Sequence, residues 1–277
     1  MEIVIQALVM GIVQGLTEFL PVSSSGHLIV VPFLLGWRDP FINSLEFSVM
    51  LHLGTLIALL AYFRADWLRL VPAGLAALRH RSFDDDPDRH LAWLLAAATV
   101  PALVIGFAFN DIIEERFRQV GLVALMLVVG GAILWLAERN GSRRRGIGGL
   151  TFRAAIGIGG AQALALIPGI SRSGISISAG LFAGLDRESA ARFSFLMATP
   201  ITALAGAYET RKVLAGESGV DVALLPLVVG LVASLVAGFA AIAILLRFLR
   251  SHPTHVFVVY RAILATVVVI AWLSLAR

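Results

Sequence analysis

Residues 14–27 read QGLTEFLPVSSSGH, a polar, kinked segment set inside an apolar run. Thirteen mostly apolar residues lead into Gln14, after which come Glu18, Ser23, Ser24, Ser25 and His27, with Pro21 and Gly26 placed to break the helix between them. A second segment, residues 162–174, reads QALALIPGISRSG and follows the same plan with Pro168, Gly169, Ser171, Arg172, Ser173 and Gly174. Irregular backbone and polar side chains inside apolar sequence need protein or a water-filled cavity to satisfy them. The two segments therefore read as two halves of one cavity-lining site.

The rest of the chain supplies the apolar setting. Hydrophobic residues make up 58% and charged residues 14%, with a mean hydropathy of +0.89; a soluble domain has an apolar share of about half. The fold class expected is an all-α polytopic membrane protein in its lipid bilayer. A formal net charge of +4 raises the question of nucleic acid, but 21 of the 22 basic residues are Arg and most lie in short loops between apolar runs. That is the distribution of topology signals, so no nucleic-acid partner is expected. The lack of cysteine excludes disulfides, thiolate metal sites and thiol nucleophiles. The N-terminus has no basic n-region and no small-residue cleavage site before Gln14, so it is read as part of the fold rather than as a cleaved signal peptide.

A spanning helix needs about 20 apolar residues. Six runs meet that length, near 44–63, 91–110, 119–138, 190–210, 222–247 and 256–275. Two pairs of runs, 3–20 with 27–36 and 151–167 with 174–185, are joined by the two polar segments, and the second member of each is too short to cross. Six full transmembrane helices plus two re-entrant helix hairpins follow. Run 3–20 has the length to span by itself. Loop 79–90, with its run of aspartates, reads as a solvated linker, and residues 141–149 as a flexible basic one.

With hairpins that return to their own side, fifteen basic residues fall on one face and six on the other, which places the richer face in the cytoplasm. Arg261 is counted among the fifteen, and Arg172 is taken as the only basic residue outside the loops. Gln14 and Gly26 match Gln162 and Gly174 at an offset of 148, and Phe47 and Ser48 match Phe193 and Ser194 at 146. The expectation is a single membrane domain, 1–277, of two inverted-topology repeats, about 1–138 and 151–277, with the hairpin tips meeting near the midplane.

Within the tips, Gln14 and Glu18 share a helix face. A carboxylate at the centre of a span costs roughly 2.5–3.5 kcal/mol on insertion scales, so Glu18 requires a partner or a task. It can bind a divalent cation that bridges to phosphate, or orient and charge-stabilise His27. His27 can exchange a proton near neutral pH or attack phosphorus; His52, alone on an apolar span, reads as structural. Arg172 offers a planar fork matched to phosphate oxygens, with donors from Ser171, Ser173, Ser176 and the backbone amides of Gly169 and Gly174 around it. Pairing of Arg172 with Glu18 and no ligand is the structural alternative. A carrier or flippase for a phosphorylated lipid uses the same broken helices. Such a protein needs anion recognition but no nucleophile, which favours an enzyme for the serine-rich turn ending in His27.

With these residues laid out, the chain resembles the bacterial undecaprenyl-diphosphate phosphatase family, often called BacA. QGLTEFLPVSSSGH is similar to that family's [E/Q]xxxE-FLPVSS-x-GH signature and PGISRSG at 168–174 to its PGxSRSG signature, with Ser176 where Thr is usual. The resemblance implies removal of the terminal phosphate of undecaprenyl diphosphate, which regenerates the monophosphate carrier for envelope polymers. It also implies a site opening to the outer face of the plasma membrane, sensitivity of the pathway to bacitracin, and room for a homodimer that no residue here requires. By position it carries over Glu18, Ser24, His27 and Arg172 as catalytic, with Ser23, Ser25, Gly26, Gly169, Ser171, Ser173, Gly174 and Ser176 as substrate-binding residues. Glu18 and Gln14 stand where a divalent cation, Mg2+ or Ca2+, would be held. Gln14 replaces a frequent glutamate, and a neutral amide removes one hard anionic ligand. His27, Ser24 and water all remain open as nucleophile.

Overall fold

Each of the six long apolar runs forms a helix in the computed structural model, which describes residues 1–80, 82–83, 85–117, 119–215, 221 and 223–275. The order is α1 (Glu2–Phe19), α2 (Ser24–Leu35), α3 (Leu45–Tyr62), α4 (Arg64–His80), α5 (Pro87–Arg116), α6 (Val120–Asn140), α7 (Phe152–Gln162), α8 (Arg172–Phe182), α9 (Arg187–Leu214), α10 (Leu224–Leu249) and α11 (His255–Leu275). A 3₁₀ turn, Ala163–Leu166, follows α7 directly. Arg81, Asp84, Arg118 and Arg277, which entered the charge pattern above, lie outside the described residues.

Among the described residues seven helices are long and apolar enough to cross a membrane: α3, α5, α6, α9, α10, α11 and also α1. The two breaks fall where Pro, Gly and Ser interrupt the apolar runs. The arms α2, α7 and α8, of 12, 11 and 11 residues, are only about 16–18 Å long and fall short of the hydrocarbon core. α1, with 18 residues, has the length of a span, so the two hairpins differ in their first arms. The chain is a multi-pass, all-helical membrane protein.

Two expectations need correction. Residues 64–80, given no element of their own between the runs 44–63 and 91–110, form the amphipathic helix α4, which buries Asp66, Leu70 and Ala77 and packs on α5. Gly26 and Gly174 do not break helices. Ser23 and Ser171 end the breaks earlier, each with φ of 77°, and each side chain accepts the N–H of Gly26 or Gly174 as an N-cap, so α2 and α8 begin at Ser24 and Arg172.

Among the described residues the most extensive helix contact is α1 on α10, with α3 beside α1 against the same Gly230, Ser234 and Gly238 stripe of α10. Backbones approach closely there through small residues: a Cβ on Gly15 would lie 2.5 Å from the Ser234 carbonyl oxygen. The Ser234 hydroxyl in turn donates to the Leu51 carbonyl of α3 at 2.9 Å. The main core, which includes Phe19, Phe63, Phe193 and Phe195, lies beside the hairpin tips and fixes α1, α3, α8 and α9 around them. On the basic side, buried Glu138 of α6 holds Arg143 of the linker, Arg187 of α9 and the Thr254 hydroxyl that precedes α11.

Candidate active site

The two breaks meet and are sewn together by their own serines. Ser23 Oγ accepts the Gly169 N–H of the opposite tip at 3.1 Å, while Ser173 Oγ donates to the Leu20 carbonyl at 3.0 Å. Within each tip a serine pair faces itself, Ser23 with Ser25 at 3.4 Å and Ser171 with Ser173 at 3.2 Å. The Gly174 N–H goes to Ser171 Oγ at 3.0 Å. The hydroxyls of Ser23, Ser171 and Ser173 and the amides of Gly26, Gly169 and Gly174 are thus engaged in building the tips. Ser176, buried on α8, donates to the Arg172 carbonyl and pairs with Ser194 at 2.6 Å. Ser23, Gly26, Gly169, Ser171, Ser173, Gly174 and Ser176 do not border the cavity beside the tips, so the donor shell expected around Arg172 is scaffold in this arrangement.

That cavity, of about 220 Å3, is lined on its polar side by Glu18, Ser24, Ser25, His52, Gln162 and Arg172, and on its apolar side by residues such as Leu166 and Ile201. Ser24 and Ser25 open α2 and Arg172 opens α8, so the first turns of two helices border it. The unpaired N–H groups and positive dipole end of a helix start favour an anion there.

Glu18 is the hub. Its Oε1 pairs with the Arg172 guanidinium, and its Oε2 accepts Ser24 Oγ at 2.5 Å and Gln14 Nε2 at 3.0 Å, with His52 Nε2 at 3.4 Å. The other arm of Arg172 donates to Thr202 Oγ at 2.5 Å. A guanidinium carries five N–H donors in one plane, so a ligand in the cavity can share it with Glu18 and Thr202.

The imidazole beside Glu18 is that of His52, not His27. His27 is 4% exposed; its Nδ1 lies 2.7 Å from the Ser23 carbonyl and its Nε2 2.7 Å from the Tyr260 hydroxyl. A carbonyl only accepts, so Nδ1 carries the proton and Nε2 accepts from Tyr260. The ring is stacked on Tyr260 as well, with centroids 5.7 Å apart. His27 therefore braces the first tip against α11, while His52, whose Nδ1 is held by the Ser48 carbonyl at 2.7 Å, turns Nε2 toward the cavity group.

Arg172 is also not the only basic residue outside the loops. Arg261 of α11 is 0% exposed and donates to five carbonyls: Pro21 of one tip, Gly169 and Ile170 of the other, and Met126 and Leu127 of α6. A Cβ on Gly130 would overlap its guanidinium, so that glycine makes the room. The loop tally misplaced this residue. It is a cation fixed at the joint of both breaks, with carbonyl dipoles as its partners.

The donor set does not fit a divalent cation held by protein groups alone. Both Glu18 oxygens already accept from cationic or neutral donors, and Gln14 turns its amide nitrogen to Glu18 rather than offering a second anionic ligand. Among the described residues no group of three His, Cys, Asp or Glu side chains could hold a metal. A cation at Glu18 would first have to displace Arg172.

The model of the family described as bacitracin resistance protein BacA matches residues 7–267. The chain belongs to the BacA family. Relatives named undecaprenyl-diphosphatase extend over nearly the whole sequence. The one from Thermomicrobium roseum is 46% identical over 281 residues, covering 98% of this chain and 99% of the relative. The one from Desulforudis audaxviator is 45% identical, with 97% and 98% covered. The one from Gemmatimonas aurantiaca is 46% identical, with 95% and 96% covered. The BacA match spans both tips, from α1 to α11, and so includes every cavity residue named above.

Proposed function

We propose that this BacA protein hydrolyses undecaprenyl diphosphate to undecaprenyl phosphate and inorganic phosphate, recycling the lipid carrier for cell-wall synthesis, with Ser24 as nucleophile. The observation that carries the reading is a cavity hydroxyl aimed at a buried carboxylate: Ser24 Oγ lies 2.5 Å from Glu18 Oε2, beside the Arg172 guanidinium. The terminal phosphate enters between Arg172 and the first turn of α2. Ser24 Oγ bonds to the terminal phosphorus as its proton passes to Glu18 Oε2, and the anhydride P–O bond breaks to release undecaprenyl phosphate. Water then attacks the phosphoserine; its proton goes to His52 Nε2, Glu18 returns its proton to the departing Ser24 oxygen, and inorganic phosphate leaves. Arg172 and the helix starts stabilise the charge that develops on the phosphoryl oxygens. A carrier for the same lipid would need the anion site but not a hydroxyl poised on a base.

The test is phosphate release from undecaprenyl diphosphate by purified protein in detergent. Wild type should turn over, Ser24→Ala and Arg172→Ala should not, and quenched wild type should carry acid-stable, base-labile phosphate at Ser24. Normal turnover by Ser24→Ala would end its role as nucleophile. Bound lipid without release in wild type would move the reading to transport.

The two-repeat architecture, about 1–138 and 151–277, is part of the same proposal. Exchanging α1, α2, α3, α5 and α6 for α7, α8, α9, α10 and α11 turns the α1·α10 contact into α5·α7, α3·α10 into α5·α9, and α2·α11 into α6·α8, all of which occur. The reading includes a cavity that opens to the outer, periplasmic face, supported by Val49 and His52 near the start of α3 and Ala205 and Gly206 in the second half of α9, toward the side with fewer basic residues. Every residue used lies in one copy of the chain, so a homodimer would leave the chemistry unchanged.

A further inference from the structure

Gln162 ends α7, borders the cavity with Glu18, Ser24 and Arg172, and is only 3% exposed. Neither its Oε1 nor its Nε2 has a hydrogen-bond partner among the described residues. Leaving a buried donor or acceptor unmade costs about 1–3 kcal/mol for each group. A leucine would fill the same space without that penalty, so the amide calls for a partner from outside the protein.

Comparison with Gln14 shows why the partner is missing. Gln14, at the matching position of the first break, donates to Glu18 one turn further on at 3.0 Å. One turn beyond Gln162 the chain has Leu166, which also borders the cavity and offers no acceptor. One glutamine is consumed by the catalytic carboxylate; its counterpart is left free at the same cavity. The terminal torsion of glutamine is soft, so the carboxamide turns toward an entering ligand at little cost.

We infer that Gln162 binds the diphosphate of the substrate, its Nε2 donating to a phosphate oxygen and its Oε1 accepting from a protonated phosphate oxygen or the attacking water. The inference rests on the reading of this cavity as the phosphate site. It makes Gln162 a recognition group on the wall supplied by the second break, where Glu18 and Ser24 are supplied by the first.

The test compares wild type, Gln162→Leu and Gln162→Glu in detergent. The readouts are kcat and KM for phosphate release, Kd for a farnesyl methylenediphosphonate that cannot be hydrolysed, and the unliganded Tm. Loss of hydrogen bonds to a charged ligand should raise KM and Kd about tenfold or more in Gln162→Leu. Gln162→Glu should weaken binding further, because its carboxylate faces phosphate. Unliganded Gln162→Leu should keep or raise the wild-type Tm, since it removes two unpaired buried polar atoms. A purely structural glutamine predicts the reverse, so a lowered Tm in Gln162→Leu, or unchanged KM and Kd, overturns the inference. Failure of wild type to release phosphate while binding the diphosphonate in a Gln162-dependent way would instead sink the hydrolytic reading and leave Gln162 as a ligand group.

Discussion

Ser24 and Glu18 stand on opposite sides of a helix break, six residues apart in sequence and 2.5 Å apart between Oγ and Oε2. The turn through Pro21 makes that contact; no continuous helix could, since positions six apart face away from one another. If the pair acts as nucleophile and base, Ser24→Ala and Glu18→Gln should each lower kcat by about 10²–10⁴-fold. The double variant should be little worse than either single one, because two groups in one proton transfer are not additive. Steady-state phosphate release across the four proteins measures this, and additive losses would contradict it.

Gln14 is an amide beside a carboxylate that is already saturated with donors. Calcium or magnesium alone should therefore leave the unliganded Tm of the wild type unchanged. Gln14→Glu places two carboxylates one turn apart, and that variant should gain Tm with added Ca2+ and lose the gain with EDTA. Thermal unfolding in detergent with and without the ion decides it.

Arg261 serves carbonyls of both tips and of α6. Arg261→Met should destabilise strongly, since each carbonyl left unpaired costs about 1–3 kcal/mol. Arg261→Lys, with three donors on a point charge in place of a five-donor fork, should recover only part of the loss. Both variants should lose phosphate release in step with Tm, as read by unfolding and turnover on the same preparations.

Tyr260 is hydrogen-bonded to and stacked on His27 of the first tip. Tyr260→Phe keeps the stacking and removes one hydrogen bond worth about 1 kcal/mol, so turnover should fall no more than about fivefold. Nucleophilic attack by His27 would instead need Nε2 freed from this bond, and Tyr260→Phe would then raise turnover.

The spans and the two breaks were legible because Pro, Gly and Ser interrupt apolar runs that otherwise have the length of a bilayer. Helix α4 was not, because Arg64, Asp66, Arg69 and Pro72 dilute its apolar stripe and hide it among loop signals. The starts of α2 and α8 were placed late, since a glycine in a first turn looks like a breaker until the serine that caps it is seen. Glu18 and Arg172 could be read from the residues themselves, each being a charged group inside apolar sequence, while Ser24 stood out from its neighbours only through the family motif. His52 was read as structural, and Gln162, although it opens the second segment and matches Gln14, was given no role of its own. They lie on other helices, and the packing of α3 and α7 around α1 and α8 sets their side chains beside Glu18 and Arg172. Arg261 was misread for a related reason: proximity to a span's end along the chain says nothing of what lies beside it in space.

The bonds from Arg261 also set an order of events during synthesis. Both breaks, with Glu18, Ser24 and Arg172, are made and inserted well before α11 leaves the ribosome. Until α11 arrives, the carbonyls of Pro21, Gly169 and Ile170 lack the common donor that Arg261 gives them. A growing chain thus carries Glu18, Ser24 and Arg172 before it has the joint that aligns them, so competence is gained in one step, when α11 docks.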